Sequence, residues 1–268
     1  MSSEVEKSLD MSGIEGDQRF LDSARNDKIK KTTQLLFAAL TVYHDNAPHS
    51  AAMNMAIDEA LLEYATVPAI RFYRWQSPAL SFGYFGRFAD VASYECERDL
   101  VRRWTGGGIV FHAEDLTYSL VIPTSDTAFA ESSISIYEKI HRALCDVLSE
   151  TGQRAVVAEI VDHGPSSATV TIRTGISDAG YSCFANPVRA DVMIGGRKIA
   201  GAAQRRTRCG LLQQGSIQGI ELWRDLAQRF ARELSTDRSE RKVDEKILNR
   251  ARELAEQKYG TESWLRKR

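Results

Sequence analysis

Hydrophobic residues recur every three to four positions in two segments of this chain, and that period predicts a helix in each. The first segment covers residues 53–64, and Ser50 stands where an N-terminal cap is expected. The second covers residues 136–148 and follows Ser135 and Glu138, whose spacing is that of a capping box. Each helix should therefore pack an apolar face against a core.

Short apolar, β-branched or alternating runs between turn residues predict strands. These runs are residues 69–75, 79–85, 101–104, 109–112, 116–123, 155–161, 168–174, 188–194, 197–203 and 209–217. Gly195 and Gly196 predict a tight hairpin between two of the runs, because glycine adopts the left-handed backbone that such a turn needs. Residues 88–100 and the charged segment from Leu222 onward are predicted to be helical.

The order of these elements determines the predicted fold class. Mixed strands with helices clustered on one side predict an α+β fold, with helices packed on a mixed, mostly antiparallel β-sheet, rather than a doubly wound sheet. Residues 1–34 are rich in polar and charged side chains, which predicts a flexible N-terminal arm. The 268-residue chain is 43% hydrophobic, so residues 35–268 can form a single domain that ends in helices.

Composition excludes several classes of partner and site. The formal net charge of -1 gives no basic bias toward nucleic acid or anionic lipid, and no apolar run approaches the ~20 residues that cross a bilayer. Cys96, Cys145, Cys183 and Cys209 lack the spacing of a zinc site or a disulfide framework. They indicate reduced thiols in a cytoplasmic protein that binds no metal, and all except Cys183 are expected to pack as small hydrophobic side chains.

The run RRWTGGGIVFH, residues 102–112, carries three glycines between two predicted strands. Gly106, Gly107 and Gly108 lack Cβ atoms, so their backbone can come close to a ligand. The loop is not a phosphate-binding P-loop, because no GK[ST] follows it and the next segment is a predicted strand. Arg103 beside the loop suits a carboxylate, a phosphate or an acidic carrier protein, and an ordinary surface ion pair is the alternative.

A second run, GGRKIAGAAQ over residues 195–204, places Lys198 among small and apolar residues. A lysine in such a stretch can reach a sheltered cavity instead of bulk water. Its ammonium would there polarise an acyl carbonyl and stabilise the oxyanion formed on attack. A solvated strand lysine is the alternative, since strand alternation permits it.

Cys183 lies in a loop-like stretch, residues 181–187, just before a predicted strand. A nearby cation lowers the pKa of a thiol and raises its thiolate fraction, and Lys198 would supply that charge across the hairpin. A thiolate can take an acyl group from a thioester and then pass it to an amine. Burial as a small hydrophobic side chain is the alternative.

Together these runs resemble the lipoate–protein ligase and cysteine octanoyltransferase family over roughly residues 41–265. The resemblance implies a biotin/lipoate ligase-like catalytic domain that attaches medium-chain acyl groups to a lysine of a carrier domain. It also implies that the glycine loop, Arg103, His112 and Gly201 line the acyl pocket. For His112, a hydrogen-bonded histidine at a strand end is the alternative.

Two positions bear on the type of reaction. The resemblance implies that Lys198 contacts the acyl carbonyl, and that Cys183 matches the nucleophile of the cysteine octanoyltransferases. Gln213 stands where the family commonly has histidine, a departure that leaves the predicted fold unchanged. Asn54 and Asp58 are expected to hydrogen-bond the first helix to the sheet.

The first functional hypothesis is a cysteine acyltransferase. Octanoyl would move from acyl carrier protein to Cys183, and then to a lysine of a lipoyl-domain protein. The acceptors that the resemblance implies are the glycine cleavage H protein and the E2 subunits of 2-oxoacid dehydrogenases. No cofactor is required, because a thioester is already activated.

Two alternatives remain open. A lipoate–protein ligase would use ATP and Mg²⁺ to make lipoyl-adenylate from free lipoate, with Lys198 on the adenylate and Cys183 as a bystander. Only about fifty residues follow Ile217, which argues against a self-sufficient ligase with an extra C-terminal domain. A non-catalytic relative that only binds acyl groups or lipoyl domains is the other alternative.

Overall fold

The computed structural model describes residues 35–150, 152–158 and 188–267. Its strands are β1 Leu40–His49, β2 Ala69–Trp75, β3 Ala79–Phe82, β4 Asp99–Arg102, β5 Val110–His112, β6 Leu116–Pro123, β7 Ala155–Val157, β8 Val192–Ile194, β9 Arg197–Arg206, β10 Gly210–Ile217 and β11 Arg238–Arg241. Its helices are α1 Ala51–Tyr64, α2 Ser133–Ser149, α3 Leu226–Leu234, α4 Glu245–Leu254 and α5 Glu262–Leu265. A π-helical turn, Ala255–Tyr259, continues α4. No helix in this part of the chain is long and apolar enough to traverse a bilayer.

Two sheets organise the described residues. The large sheet has eight strands in the order β11-β1-β2-β6-β10-β9-β8-β7, and the small sheet has the order β4-β3-β5. Strand β1 runs parallel to both of its neighbours, and β3 runs parallel to β4, whereas the other pairs are antiparallel. The predicted α+β fold with a mixed, mostly antiparallel sheet is therefore confirmed.

Helices cover both faces of the large sheet, so the prediction that they cluster on one side is wrong. Leu120 and Ile122 of β6 belong to the core that includes α2 and α3, and Val121 between them belongs to the core with α1 and α4. Successive side chains of a strand point to opposite faces. The helices after Leu222 divide between the two faces, α3 on one and α4 on the other. The order of strands and helices along the sequence does not determine which face each helix covers.

The first predicted helix is confirmed with its cap, but the second begins at a different cap. The Ser50 hydroxyl accepts a hydrogen bond from the Met53 N–H at 3.3 Å, as the sequence predicts. At α2 the cap is Ser132, whose hydroxyl accepts from the N–H of Ser135 at 3.2 Å. Ser135 already lies in the first turn, so the predicted capping box with Glu138 does not form.

Residues 88–100 were predicted to be helical, and this prediction is wrong. The segment forms two single 3₁₀ turns, Phe88–Asp90 and Ala92–Tyr94, and then enters β4. Its end is held elsewhere, because the Asp99 carboxylate accepts a hydrogen bond from the Ala51 N–H at 2.7 Å. Asp99 thus accepts a hydrogen bond from the first turn of α1 and is also the first residue of β4. A helix that continued through residue 100 could not form this strand.

Strand β1 has no counterpart in the predictions, and the edge strand β11 lies in the segment predicted to be helical, so that prediction is wrong for residues 238–241. Strand β1 contains polar residues from His44 onward, and β11 is the highly charged run RSER, so neither has a strong apolar alternation. They pair with each other in parallel, with Leu40 opposite Arg238. Leu40 and Val42 of β1 lie in the core, whereas β11, with mostly exposed side chains, is paired through its backbone.

The remaining strand predictions agree to within a few residues where the structure describes them. Strands β2 and β6 have the predicted bounds, β3 ends earlier, and β8 begins only at Val192. The hairpin glycines have the expected positive φ angles, 56° at Gly195 and 77° at Gly196. The predicted strand over residues 168–174, the end of the run 155–161 and the N-terminal arm lie outside the described residues.

Arg102 ties the end of the described chain to the start of the glycine loop. Its buried guanidinium donates to the carbonyl oxygens of Trp264 at 3.0 Å, Leu265 at 2.9 Å and Lys267 at 2.6 Å. In return the Trp264 indole N–H donates to the Arg102 carbonyl at 2.9 Å. Charge-assisted bonds of this kind satisfy helix-end carbonyls, so α5 is fixed against β4.

Candidate active site

A mostly apolar cavity opens where the small sheet meets the large one. Its wall combines side chains from the small sheet, β3 and β5, with side chains from β2, β6, β9, β10 and α1. The lining residues are Met55, Tyr73, Trp75, Ser81, Arg103, Val110, His112, Thr117, Lys198, Gly201, Ala202, Ala203, Gln214, Gly215 and Ser216. A mostly apolar wall with a few convergent polar groups is typical of a small-molecule site.

Lys198 lies in the wall of this cavity with only 1% of its side chain exposed. Its Nζ atom is 2.8 Å from Oδ2 of Asp191, so the charge is paired inside the protein. A Cβ atom at position 201 would lie 2.6 Å from that Nζ, closer than real Cβ atoms come. Gly201 therefore leaves the space that the lysine side chain occupies.

Asp191 is the centre of a short hydrogen-bond chain. Tyr137 donates its hydroxyl proton to Oδ1 of Asp191 at 2.7 Å and accepts from the Ala202 N–H at 2.9 Å. The Val188 N–H donates to Oδ2 of Asp191 at 2.6 Å. Burial and the neighbouring Asp191 charge raise the pKa of the Tyr137 hydroxyl far above its ordinary value, so Tyr137 stays protonated as a donor.

A buried histidine holds the backbone beside Asp191. Nδ1 of His141 is 2.6 Å from the Ala190 carbonyl oxygen, which can only accept, so this nitrogen carries the proton. Nε2 then accepts from the Tyr118 hydroxyl at 3.0 Å, and Gln213 donates to that hydroxyl at 3.1 Å. Burial lowers the pKa of His141 to about 4, so the ring is neutral at physiological pH. Gln213, the departure from the family pattern, supports this chain and does not line the cavity.

Arg103 braces the glycine loop from within. Its Nη2 donates to the carbonyl oxygens of Gly106 at 3.0 Å and Gly108 at 2.8 Å, and its Nη1 donates to the Ser81 hydroxyl at 2.7 Å. Arg103 also lines the cavity, so the structure places it at the site, while its Nη2 atom holds the protein's own loop.

The loop glycines lie behind the described wall of the cavity instead of lining it. Gly107 has a φ of 85°, and a Cβ there would lie 3.3 Å from the Cβ of Ala203, which does line the cavity. Gly83 of the neighbouring strand end approaches so closely that a Cβ would overlap the Gly107 carbonyl. None of the three loop glycines therefore lines the described part of the cavity wall. They contact it through Arg103 and Ala203, which do.

His112 lies in the cavity wall, between Ser81 and Asp115. Its Nδ1 is 2.7 Å from Oδ2 of Asp115, its Nε2 is 2.7 Å from the Ser81 hydroxyl, and its ring stacks on Trp75 with centroids 4.1 Å apart. Burial lowers the pKa of His112. Burial acts to raise the pKa of Asp115, but hydrogen bonds from His112, Ser216 and Thr117 outweigh it, and the carboxyl remains ionised.

The first helix is bonded to the sheet through Asp58, as the sequence predicts. Oδ1 of Asp58 accepts from Arg71 at 2.9 Å and from Ser119 at 2.7 Å, and Oδ2 accepts from Gln214 at 2.7 Å. Arg71 also donates to the side-chain oxygen of Asn54 at 2.7 Å. This buried network fixes the floor of the cavity, because Gln214 also lines it.

The cysteines divide differently from the prediction. Cys145 is buried as expected, and burial raises the pKa of its thiol to about 12. Cys96 and Cys209 are exposed, so the prediction that they pack as hydrophobic side chains is wrong. Cys96 lies next to the 3₁₀ turns and Cys209 lies in the β9–β10 turn, where neither side chain meets the core. Cys183 lies outside the described residues.

Several residues of the site carry no signal in the sequence. Ser81 lines the cavity, and Asp191 and Tyr137 lie behind Lys198. The three come from distant segments, and no motif spacing marks them. Asp115 is three positions after His112, and this short spacing is the one signal in the sequence that the two side chains could pair. In the described part of the chain, no group of three His, Cys, Asp or Glu side chains is arranged to hold a metal ion.

Comparison with known proteins agrees with the resemblance seen in the sequence. A family model of the lipoyl protein ligase A/B catalytic domain matches residues 50–257. Octanoyltransferase LipM of Oceanobacillus iheyensis is 35% identical over 225 residues, which are 79% of this chain and 77% of that relative.

Solved structures agree in fold. A crystal structure of lipoate-protein ligase A bound with ATP has a TM-score of 0.66 at 24% identity and covers 85% of this chain and 98% of its own. A bipartite lipoate protein ligase from Thermoplasma acidophilum, described with its E2 lipoyl domain, has a TM-score of 0.63 at 21% identity and covers 85% and 96%. Since the family model spans well over half of the sequence, the chain belongs to the lipoyl protein ligase A/B catalytic domain family.

Proposed function

We propose that this protein is an octanoyltransferase of the lipoylation pathway, which moves an octanoyl group from acyl carrier protein to a lysine of a lipoyl-domain protein. The observation that carries the proposal is the paired ammonium of Lys198 in the wall of a mostly apolar cavity, made possible by Gly201. The similarity to an octanoyltransferase supports the choice of acyl group.

The cavity suits the two ends of an acyl thioester. Its apolar wall would take the hydrocarbon tail, with a gain of about 0.8 kcal/mol for each buried CH₂ group. The Lys198 ammonium would lie at the carbonyl end and stabilise the negative charge that develops on oxygen during attack. A preorganised donor of this kind contributes most in a cavity from which water is excluded.

We assign the nucleophile to Cys183. Its thiolate would attack the octanoyl carbonyl, the carbon–sulfur bond to the carrier protein would break, and the carrier thiol would leave with a proton. The acceptor lysine, as the neutral amine, would then attack the Cys183 thioester, form the amide and return the sulfur as thiol. Neither step needs ATP or a metal ion, because the donor thioester is already activated.

The acceptors we propose are the glycine cleavage H protein and the E2 subunits of 2-oxoacid dehydrogenases. A lipoyl domain as the protein substrate is consistent with the family, and the Thermoplasma ligase is described with such a domain. Acyl carrier protein is the donor we propose, because transfer to Cys183 requires an acyl group that is already activated as a thioester.

A direct experiment tests the nucleophile. Purified protein incubated with octanoyl-acyl carrier protein should gain the mass of one octanoyl group on Cys183, and addition of a lipoyl domain should discharge it. Cys183→Ala should abolish transfer, whereas Cys209→Ala and Cys96→Ala, at exposed cysteines, should retain it. If Cys183→Ala stays active and only ATP with free lipoate gives product, the protein is a ligase.

A further comparison separates either enzyme from a non-catalytic relative. Lys198→Gln removes the ammonium but keeps a donor for Asp191, and it should lower transfer by about a hundredfold or more. Lys246→Gln, on the exposed surface near Tyr64, is the matched control and should leave the rate unchanged. Binding of octanoate without transfer in the wild-type protein would favour the non-catalytic reading.

A further inference from the structure

The ion pair at the cavity wall is held from behind by a set of buried side chains that do not line the cavity. Asp191 and His141 have no exposed surface, and Tyr137 is largely buried. None of the three is among the described lining residues, so they reach a ligand only through Lys198 or through the backbone.

We propose that Asp191 and Tyr137 are positioning residues that fix the direction of the Lys198 ammonium in the cavity, and that His141 holds Asp191 in place through the Ala190 carbonyl. The inference rests on the proposed function in taking Lys198 as the group that meets the acyl carbonyl. In the transferase route and in the ligase route alike, Lys198 would have to point its ammonium at the activated acyl group.

The geometry around Asp191 supports a directional role. Both carboxylate oxygens are held: Oδ1 accepts from Tyr137 at 2.7 Å, and Oδ2 meets Lys198 at 2.8 Å and the Val188 N–H at 2.6 Å. Tyr137 is itself anchored, since its hydroxyl accepts the Ala202 N–H at 2.9 Å. Ala202 is in the same strand as Lys198, so the chain of bonds closes on β9 and fixes the carboxylate relative to the lysine backbone.

Stability alone does not account for the pair. A buried ion pair often gains little over well-packed apolar side chains of similar volume, because removing both charges from water is costly. A lysine also loses much side-chain entropy when it is fixed. A fixed ammonium would instead matter for catalysis, because misplacing a catalytic group by about 1 Å can lower the reaction rate about a hundredfold.

The backbone at Ala190 adds a second observation. Ala190 has a φ of 69°, the only positive φ of a non-glycine residue in the described chain. An L-residue in this region is strained and persists where its surroundings hold it. His141 supplies that hold at 2.6 Å, and Ala190 also donates its N–H to the Ala158 carbonyl at 2.8 Å.

The first experiment measures steady-state octanoyl transfer by the full-length protein. Tyr137→Phe keeps the ring against His141, whose centroid is 4.3 Å away, and removes only the hydroxyl. Asp191→Asn keeps the shape and removes the charge. We expect kcat to fall about tenfold for Tyr137→Phe and about a hundredfold for Asp191→Asn, with KM changed less than threefold. Asp90→Asn and Tyr64→Phe, on the surface, are the matched controls.

A double variant separates positioning from a merely structural role. In the Lys198→Gln background, Tyr137→Phe should cause no further loss of kcat, because the group that it positions is absent. A structural role would lower kcat by the same factor in both backgrounds. Equal losses in the two backgrounds, or a kcat within twofold of wild type for both single variants, would overturn the proposal.

A measurement without turnover keeps the two proposals apart. In lysine-labelled protein, the two Hε protons of Lys198 should give distinct NMR signals in the wild type and averaged signals in Tyr137→Phe, with Lys198→Arg used to assign them. If the wild type transfers no octanoyl group but shows this difference, only the proposed function fails. Distinct signals in both proteins would overturn the positioning role.

Discussion

Lys198 and Asp191 depend on each other, because each would be a lone charge in the protein interior without its partner. Their side chains are 1% and 0% exposed and 2.8 Å apart. Breaking a buried pair at one partner costs about 3–5 kcal/mol, whereas replacing both partners costs much less. The site is therefore sensitive to single changes for reasons that precede any chemistry.

We predict that Lys198→Ala lowers the free energy of unfolding by about 3–5 kcal/mol, since it leaves the Asp191 carboxylate unpaired. The double change Lys198→Ala with Asp191→Asn should recover at least half of that loss. Urea unfolding followed by circular dichroism measures both. Additive losses in the double variant would contradict the prediction, and Lys246→Ala is the control.

Gly201 offers a second test at this scale. Gly201→Ala would place a Cβ 2.6 Å from the Lys198 Nζ and 3.1 Å from Asp191 Oδ1, so the lysine must move. We expect a cost of about 1–3 kcal/mol in stability together with loss of octanoyl transfer. Gly106→Ala, whose Cβ would meet nothing within 4 Å, should leave the melting temperature unchanged.

The sequence predicted part of this site and missed the rest for a physical reason. Lys198 and Gly201 share one short run, so their spacing already indicated a sheltered ammonium. Asp191 and Tyr137 meet that run only through the fold, from segments whose local patterns are ordinary. The three glycines indicated that the loop backbone could approach a ligand closely. They did not indicate that Arg103 would donate hydrogen bonds to the carbonyl oxygens of that loop.

At the scale of elements, burial explains which predictions succeeded. Strands β2 and β6 are central, and their apolar runs gave the correct bounds. The edge strand β11 has no such run, because its side chains are mostly exposed, and in β1 only the first four residues are buried. Residues 88–100 carry a helix-like pattern that the fold overrides through β4 and the Asp99 bond to α1.

The cap of α2 can be tested directly. Ser132→Ala removes the acceptor of the Ser135 N–H and should lower the free energy of unfolding by about 1 kcal/mol. Glu138→Gln should change it by no more than a few tenths of a kcal/mol, because among the described residues Glu138 pairs with Arg142 and Arg189 at the surface. Chemical denaturation of both variants decides between the observed and the sequence-predicted cap; a larger effect at Glu138 would favour the latter.

At the scale of the whole molecule, buried histidines couple stability to acid. The pKa of His141 is lowered from 6.5 to about 4, so below pH 6.5 the unfolded chain binds a proton that the folded protein does not. Stability therefore falls as the pH drops from 6.5 to about 4 and levels off below, by roughly 3 kcal/mol for this one group. His112 acts in the same direction.

We predict that unfolding free energies measured between pH 7 and pH 4 decrease steeply in the wild type and less steeply in His141→Gln. The variant should be less stable at pH 7, because it loses the fit between Tyr118 and the Ala190 carbonyl. The difference between the two proteins should shrink by about 3 kcal/mol at the acid end. Parallel curves of unfolding free energy against pH for the two proteins would contradict the role given to His141.

Arg102 gives the fold a late step during synthesis. Its guanidinium finds carbonyl acceptors at Trp264, Leu265 and Lys267, more than 160 positions downstream. A ribosome adds about 5–20 residues each second. For many seconds Arg102 therefore has only its upstream acceptors, the carbonyl oxygens of Tyr84 and Gly86. The bonds that fix α5 against β4 therefore form only after residues 264–267 have been synthesised, long after β4 itself.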